Sequence, residues 1–188
     1  MIFEKNKRIL WCAFVSLLLP VLAGCGGVDT HHALTLRPPF DPTLWLRGQL
    51  KGTMLILDRN GNLRESADII RNCDDLHGQQ GTCTESIHYY YNNRNLNREL
   101  QWMAHYTDQE FATFTFKDDA GTVKGNLYGS LLHLSGDRQI PAAESDSDTG
   151  TVDVRIYRLP GDADRVFEVI EYTMWGVHMG RVEIYWQR

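Results

Sequence analysis

Period-two alternation of apolar and polar residues, repeatedly broken by turn residues, constrains this chain more than any other feature. Val152, Val154 and Ile156 alternate with Asp153, Arg155 and Tyr157, and Leu100, Trp102 and Ala104 alternate along another stretch. Side chains of an extended strand point alternately to opposite faces, so this pattern marks strands with one buried face. Asn60-Gly61, Asp118-Asp119-Ala120-Gly121 and Pro160-Gly161-Asp162-Ala163-Asp164 supply turns between such runs. No stretch beyond the N-terminus holds a 3.6-residue apolar period over three turns. The exception to strand is a short helical turn expected over Phe40–Leu46, with Asp41 as cap and Pro42 at its first position.

Strands are expected over Leu46–Asp58, Leu63–Asn72, Thr82–Tyr91, Arg98–Tyr106 and Phe111–Lys117. One or two more lie within Thr122–Leu134, followed by the Val152 run, Arg165–Thr173 and Gly180–Gln187. The acidic, polar stretch 141–150 reads as a loop. The fold class is therefore all-β, with 8 to 10 antiparallel strands. Sequential hairpins favour an up-and-down barrel, which leaves no exposed edge; a two-sheet sandwich is the alternative.

The N-terminus has a different character. Lys5, Lys7 and Arg8 precede an apolar run of 15 residues, Ile9–Ala23. A membrane-spanning helix needs about 20 residues, so this run reads as a signal peptide, residues 1–24. Leu22-Ala23-Gly24-Cys25 resembles the bacterial lipobox, which makes Cys25 the lipidation site. The alternative is an ordinary secretory signal with an incidental Cys25. Several acyl chains on one residue anchor firmly. Gly26 and Gly27, with no Asp after the cysteine, favour the outer membrane by analogy with known sorting signals. The chain is thus expected as an outer-membrane lipoprotein facing the periplasm. Residues 25–39 form a linker ending in Pro38-Pro39, and residues 40–188 the domain.

Cleavage removes Lys5, Lys7, Arg8 and Glu4, taking the net charge from −5 to −7. No basic patch remains for nucleic acid. Cys12 leaves with the leader and Cys25 is acylated, so Cys73 and Cys83 remain in an oxidising compartment. A disulfide across the turn-rich segment between them fits. Two reduced thiols or a metal pair with His77 are the alternatives.

For a site, Glu85 shares parity with Ile87, Tyr89 and Tyr91, which puts a carboxylate on the inner face. Such a group needs partners or a raised pKa and is a candidate site residue. The alternatives are a polar group at the mouth or a structural hydrogen bond. A loop at 92–97 would pair Tyr89 with Leu100, Ile87 with Trp102 and Glu85 with Ala104. Glu85, Tyr89 and Trp102 would then line a ligand cavity. Gly121, Gly125 and Gly129 fall on one face, serving strand curvature or lining that cavity. The four tryptophans and eight tyrosines beyond the leader suit an apolar ligand or a packed core. No histidine spacing of a metal site, phosphate loop or nucleophile elbow occurs. The domain is therefore expected to be non-enzymatic, without metal or cofactor. It is expected either to bind a lipid or other hydrophobic molecule, or to be a packed envelope scaffold.

Phe40-Asp41-Pro42, Trp45, Gly48, Gly52 and Asp58-Arg59-Asn60-Gly61 resemble the opening of an uncharacterised family of bacterial lipoproteins with a lipocalin-like domain. Glu85-x-Ile87-x-Tyr89, Trp102, the Gly121/Gly125/Gly129 ladder with Asn126, and Met174, Gly176, Gly180 and Glu183 resemble its later segments. The resemblance implies a lipocalin-like barrel over residues 40–188. Members often lie near genes for fatty-acyl modification, which implies a lipid. The chain departs from the family at Leu100, at Asp118-Asp119, at Thr173-Met174-Trp175, and in its Cys73–Cys83 and 144–150 segments.

Overall fold

The computed structural model describes residues 40–75, 79–106, 112–139, 149–159 and 164–188. Residues 1–39, where a signal peptide, Cys25 lipidation and a linker are expected, lie outside these, as do His77, Phe111 and most of the acidic stretch 141–150.

Ten antiparallel strands close into one up-and-down barrel. They are β1 (Gly48–Asp58), β2 (Leu63–Asp75), β3 (Gln80–Tyr89), β4 (Arg94–Tyr106), β5 (Ala112–Asp118), β6 (Gly121–Tyr128), β7 (Leu131–Gln139), β8 (Thr149–Arg158), β9 (Arg165–Met174) and β10 (Val177–Gln187). Each strand pairs with its sequence neighbour, and β1 pairs with β10 to complete the ring. The alternation seen in the sequence becomes an inner face of buried apolar side chains. Ile69, Phe114, Leu132, Val152 and Ile184 are all but inaccessible. Two tryptophans lie over glycines on the strand beside them. Trp102 covers Gly81 and Trp186 covers Gly52; a Cβ at either glycine would meet the indole at 2.9 Å or less.

The two ends of the barrel differ. At one end the chain enters through Phe40, whose N–H donates to Gly129 O at 3.0 Å. The helical turn α1 (Pro42–Trp45) follows, with Pro42 at its first position as expected. Trp45 and Leu46 are buried, and Trp45 meets Phe40 and Trp186 edge to face at 5.8 and 6.1 Å. Arg188 Nη2 donates to Arg47 O at 2.9 Å and ties the last residue across this plug. The other end carries the hairpin tips β1–β2, β3–β4, β5–β6 and β9–β10 and has no such cover among the described residues.

The β3–β4 hairpin differs from the sequence expectation. Asn92–Asn97 read as a loop, but the turn is confined to residues 90–93, and Arg94–Asn97 belong to β4. Asn93 takes the left-handed conformation, φ 50°, that closes the turn. The asparagines that looked like loop then pair across the outer face. Ser86 Oγ donates to Asn97 Oδ1 at 2.8 Å, and His88 Nδ1 lies 2.8 Å from Asn95 Oδ1. The register moves by six residues on β4, so Glu85 faces Arg98 rather than Ala104, and Trp102 faces Gly81 rather than Ile87. An even shift preserves which side chains point inward.

Within the glycine ladder, Gly125 permits a close backbone approach. A Cβ on Gly125 would lie 1.8 Å from His133 O on β7, so β6 and β7 approach more closely than any side chain permits.

Candidate functional site

The barrel interior holds a chain of six charges of alternating sign. Glu85, 1 % exposed, receives Arg71 Nε at 2.6 Å on one oxygen and Arg98 Nε on the other. Arg71 Nη2 reaches Glu168 Oε2 at 3.6 Å, and that oxygen also accepts Trp186 Nε1–H at 2.7 Å. Arg98 Nη1 lies 4.0 Å from Asp118 Oδ2, which also accepts Arg138 Nη2. The series Glu168–Arg71–Glu85–Arg98–Asp118–Arg138 links β9, β2, β3, β4, β5 and β7, with three charges of each sign. Arg71 is further held against the plug, its Cζ 4.3 Å from the Trp186 ring centroid and 5.3 Å from that of Trp45.

A lone buried carboxylate would be neutral, because desolvation disfavours its charge. Burial does push the Glu85 pKa up, but Arg98 and Arg71 outweigh it and bring the carboxyl down to about 2. Arg98 is raised in turn, its burial opposed by Glu85 first and then by Asp118. Tyr172, buried among these groups, is pushed up to about 12, chiefly by desolvation. The cluster is thus a zwitterionic network that satisfies itself.

Its exposure is uneven, and Asp118 between the two outer arginines is 2 % exposed. Arg71 and Glu85 are sealed, whereas Arg138 is 13 % and Arg98 20 % exposed. Asp118 ends β5, and both Asp118 and Arg138 face Gly121 beside the β5–β6 tip at the open end. The wall is lowest here. β5 and β6 have only 7 and 8 residues, and β5 pairs with β4 no higher than Gln101. The cavity enclosed by the cluster measures about 30 Å³, room for one or two waters and too little for an acyl chain. Across the mouth the wall is apolar: Ile56 and Met174 are half-buried against the core, and Val177 faces Met174.

The structure spreads the three sequence candidates along the barrel. Glu85 lies at mid-height in the network. Tyr89 is near the open end under the Arg94 guanidinium, 4.6 Å from its ring centroid. Trp102 is at the plugged half over Gly81, and its Nε1 is buried with no hydrogen-bond partner among the described residues. No one cavity brings the three together. Sequence reasoning missed Arg71, Arg98, Asp118, Arg138 and Glu168. Parity carried a signal for several: Arg71 shares the face of Ile69 and Cys73, and Glu168 that of Val166 and Ile170.

Cys73 and Cys83 face each other in register on β2 and β3 and form a disulfide. Both are buried on the inner face at the plugged half. A second ionic group, His133, Asp153, Arg155 and Glu171, runs over the outer face of β7–β9. Burial raises the Asp153 pKa, but the bonds from His133 and Arg155 bring it below the ordinary carboxylate value. Being partly exposed, this group contributes little to stability. No three potential metal ligands cluster among the described residues, and no described helix is long and apolar enough to cross a membrane.

These features define a closed, ten-stranded up-and-down barrel with an ionic interior. The model of the family described as "Protein of unknown function (DUF3833)" matches residues 19–188, and the chain belongs to that family. No curated protein matches it.

Proposed function

We propose that the protein is a non-catalytic, lipid-anchored barrel of the outer membrane, facing the periplasm, that holds an amphipathic ligand at its open mouth. The anionic head of the ligand meets Arg98 and Arg138, and its apolar part lies against Ile56, Met174 and Val177. The observation that carries this is the part-exposure of the two arginines nearest the open end, where the carboxylates they hold, Glu85 and Asp118, are sealed. Burying ion pairs is expensive and often adds no stability, so a network whose most exposed members are the two arginines at the mouth favours an anionic group there. The site differs from the one expected from sequence: Glu85 orients Arg98 instead of meeting the ligand.

The test takes the chain from Gly26, extracts it for bound lipid by mass spectrometry, and titrates it with palmitate. One ligand per barrel at micromolar concentration, weakened by Arg138→Gln, supports the proposal. A second reading, a packed envelope scaffold, is favoured by the 30 Å³ size of the cavity at the cluster. It prevails if no lipid co-purifies and palmitate does not bind. Anchoring is tested separately: Cys25→Ser should abolish labelling by a fatty-acid probe, and persistent labelling refutes it.

A further inference from the structure

The tip of the β9–β10 hairpin is Trp175-Gly176. Both residues have positive φ, 51° and 78°, the conformation of the tight hairpin turn in which Asn-Gly is the favoured pair. A tryptophan there is strained, because its Cβ crowds the backbone in the left-handed region. Trp175 is also 92 % exposed, so the fold returns nothing for either the strain or the exposed indole. Such an outlier points to a contact outside the molecule.

Trp175 has company. In ring order β9, β10, β1, β2, β3 and β4 are consecutive neighbours, so the tips β9–β10, β1–β2 and β3–β4 form one sector of the open rim. That sector exposes Trp175, Val177, Met179, Leu63 and Tyr91, the last at 87 %. Arg59 and Arg94 stand on the same tips and are exposed. The chain's overall negative charge therefore hides a rim of aromatic and aliphatic groups beside arginines. Tryptophan and tyrosine with basic neighbours suit the interface of a bilayer, where an apolar ring and a polar edge are both satisfied.

We propose that this rim sector docks on the surface of a phospholipid bilayer, with Trp175 as its inserted residue. The length of chain preceding the described residues permits it. Residues 26–39 extend up to about 50 Å. Strands of this length, tilted as in other barrels, make a wall about 30 Å high. An acyl group at Cys25 thus leaves the rim free to reach the bilayer that holds the anchor. This access rests on the Cys25 reading; the rim's own affinity does not, nor does it need a ligand in the mouth.

The test uses the chain from Gly26, which retains all ten strands and the plug but lacks the anchor. It is mixed with vesicles of phosphatidylethanolamine and phosphatidylglycerol. Trp45, Trp102 and Trp186 are buried, so a blue shift in emission and quenching by brominated lipid report on Trp175. Wild type should co-sediment with the vesicles and show both signals. Trp175→Asn should lose at least ten-fold in partitioning while melting at a higher temperature than wild type, since Asn relieves the turn. Tyr91→Ser should reduce partitioning less. The proposal is overturned if wild type does not partition at millimolar lipid or if Trp175→Asn partitions as well as wild type. It is also overturned if sedimentation shows a dimer that Trp175→Asn dissolves and vesicles do not compete with, for the rim would then face a second copy. Palmitate binding and fatty-acid labelling, measured apart, show whether the mouth or the anchor reading fails instead.

Discussion

The plugged end and the open rim are built from the same residue types put to opposite uses. At the plug, Trp45 and Trp186 stack edge to face, Arg71 lies over both rings, and little is exposed. At the rim, Trp175 and Tyr91 stand in solvent, and below them Arg98 and Arg138 are mostly buried but keep a part-exposed edge. Aromatic groups and arginines at the plug contribute stability. Trp175 and Tyr91 at the rim contribute almost none, and Trp175 detracts from it. The proposed ligand mouth and bilayer contact both fall where the fold gains least.

The largest effect should come from splitting the network beneath the rim. Glu85→Gln leaves Arg71 buried against Glu168 alone and should destabilise the domain by roughly 3–5 kcal/mol, as for other broken buried pairs. Urea unfolding of the variant checks this, and a loss below 1 kcal/mol would mean water already serves the arginines. Trp45→Ala, which unplugs the closed end, should cost about 3–5 kcal/mol. It should leave palmitate binding per folded molecule unchanged, which calorimetry on the folded fraction measures.

Acid should act on the same network. The folded-state pKa of Glu85 is depressed from 4.5 to about 2, so its contribution is fully present above the unfolded value. It is lost as pH falls from about 4.5 toward 2. Thermal melts across that range should show a fall in wild type that is blunted in Glu85→Gln; parallel curves would refute the assignment. Reducing or replacing the Cys73–Cys83 bridge should cost about 3 kcal/mol in the chain-entropy model for so short a loop. The free thiols are checked by alkylation of the reduced protein. The smallest effect has the opposite sign: Trp175→Asn should raise stability by up to about 1 kcal/mol.

How much of this was legible in the sequence depends on whether one strand or two neighbours decided it. The inward faces of β3 and β4 follow from alternation alone, and Glu85, Ile87 and Leu100 point inward as expected. The Cys73–Cys83 bridge followed from counting cysteines together with the expectation of an oxidising compartment. The partners of Glu85 did not follow, because they depend on register. The asparagines at 92–97 looked like turn chemistry, while cross-strand bonds to Ser86 and His88 drew two of them, Asn97 and Asn95, into β4. Arg71 faces Glu85 across the β2–β3 hairpin, in the register that also pairs Cys73 with Cys83, but Arg138 on β7 and Glu168 on β9 lie far from Glu85 in sequence and join the network only when the sheet curls and closes. Trp175 was visible as a residue, but its meaning rests on a backbone angle that no pattern of side chains reveals.

The central claim is that stability belongs to the plug and the network, and function to the open rim and mouth. Native-state amide hydrogen exchange, with and without palmitate and the same vesicles, tests it most directly. Slowest exchange is predicted in β2–β4 around Arg71, Glu85 and Leu100. Protection added by palmitate or vesicles should fall on residues 89–94, 118–121 and 174–179. Added protection at residues 45–50 and 184–188 instead, with the rim unchanged, would contradict the account.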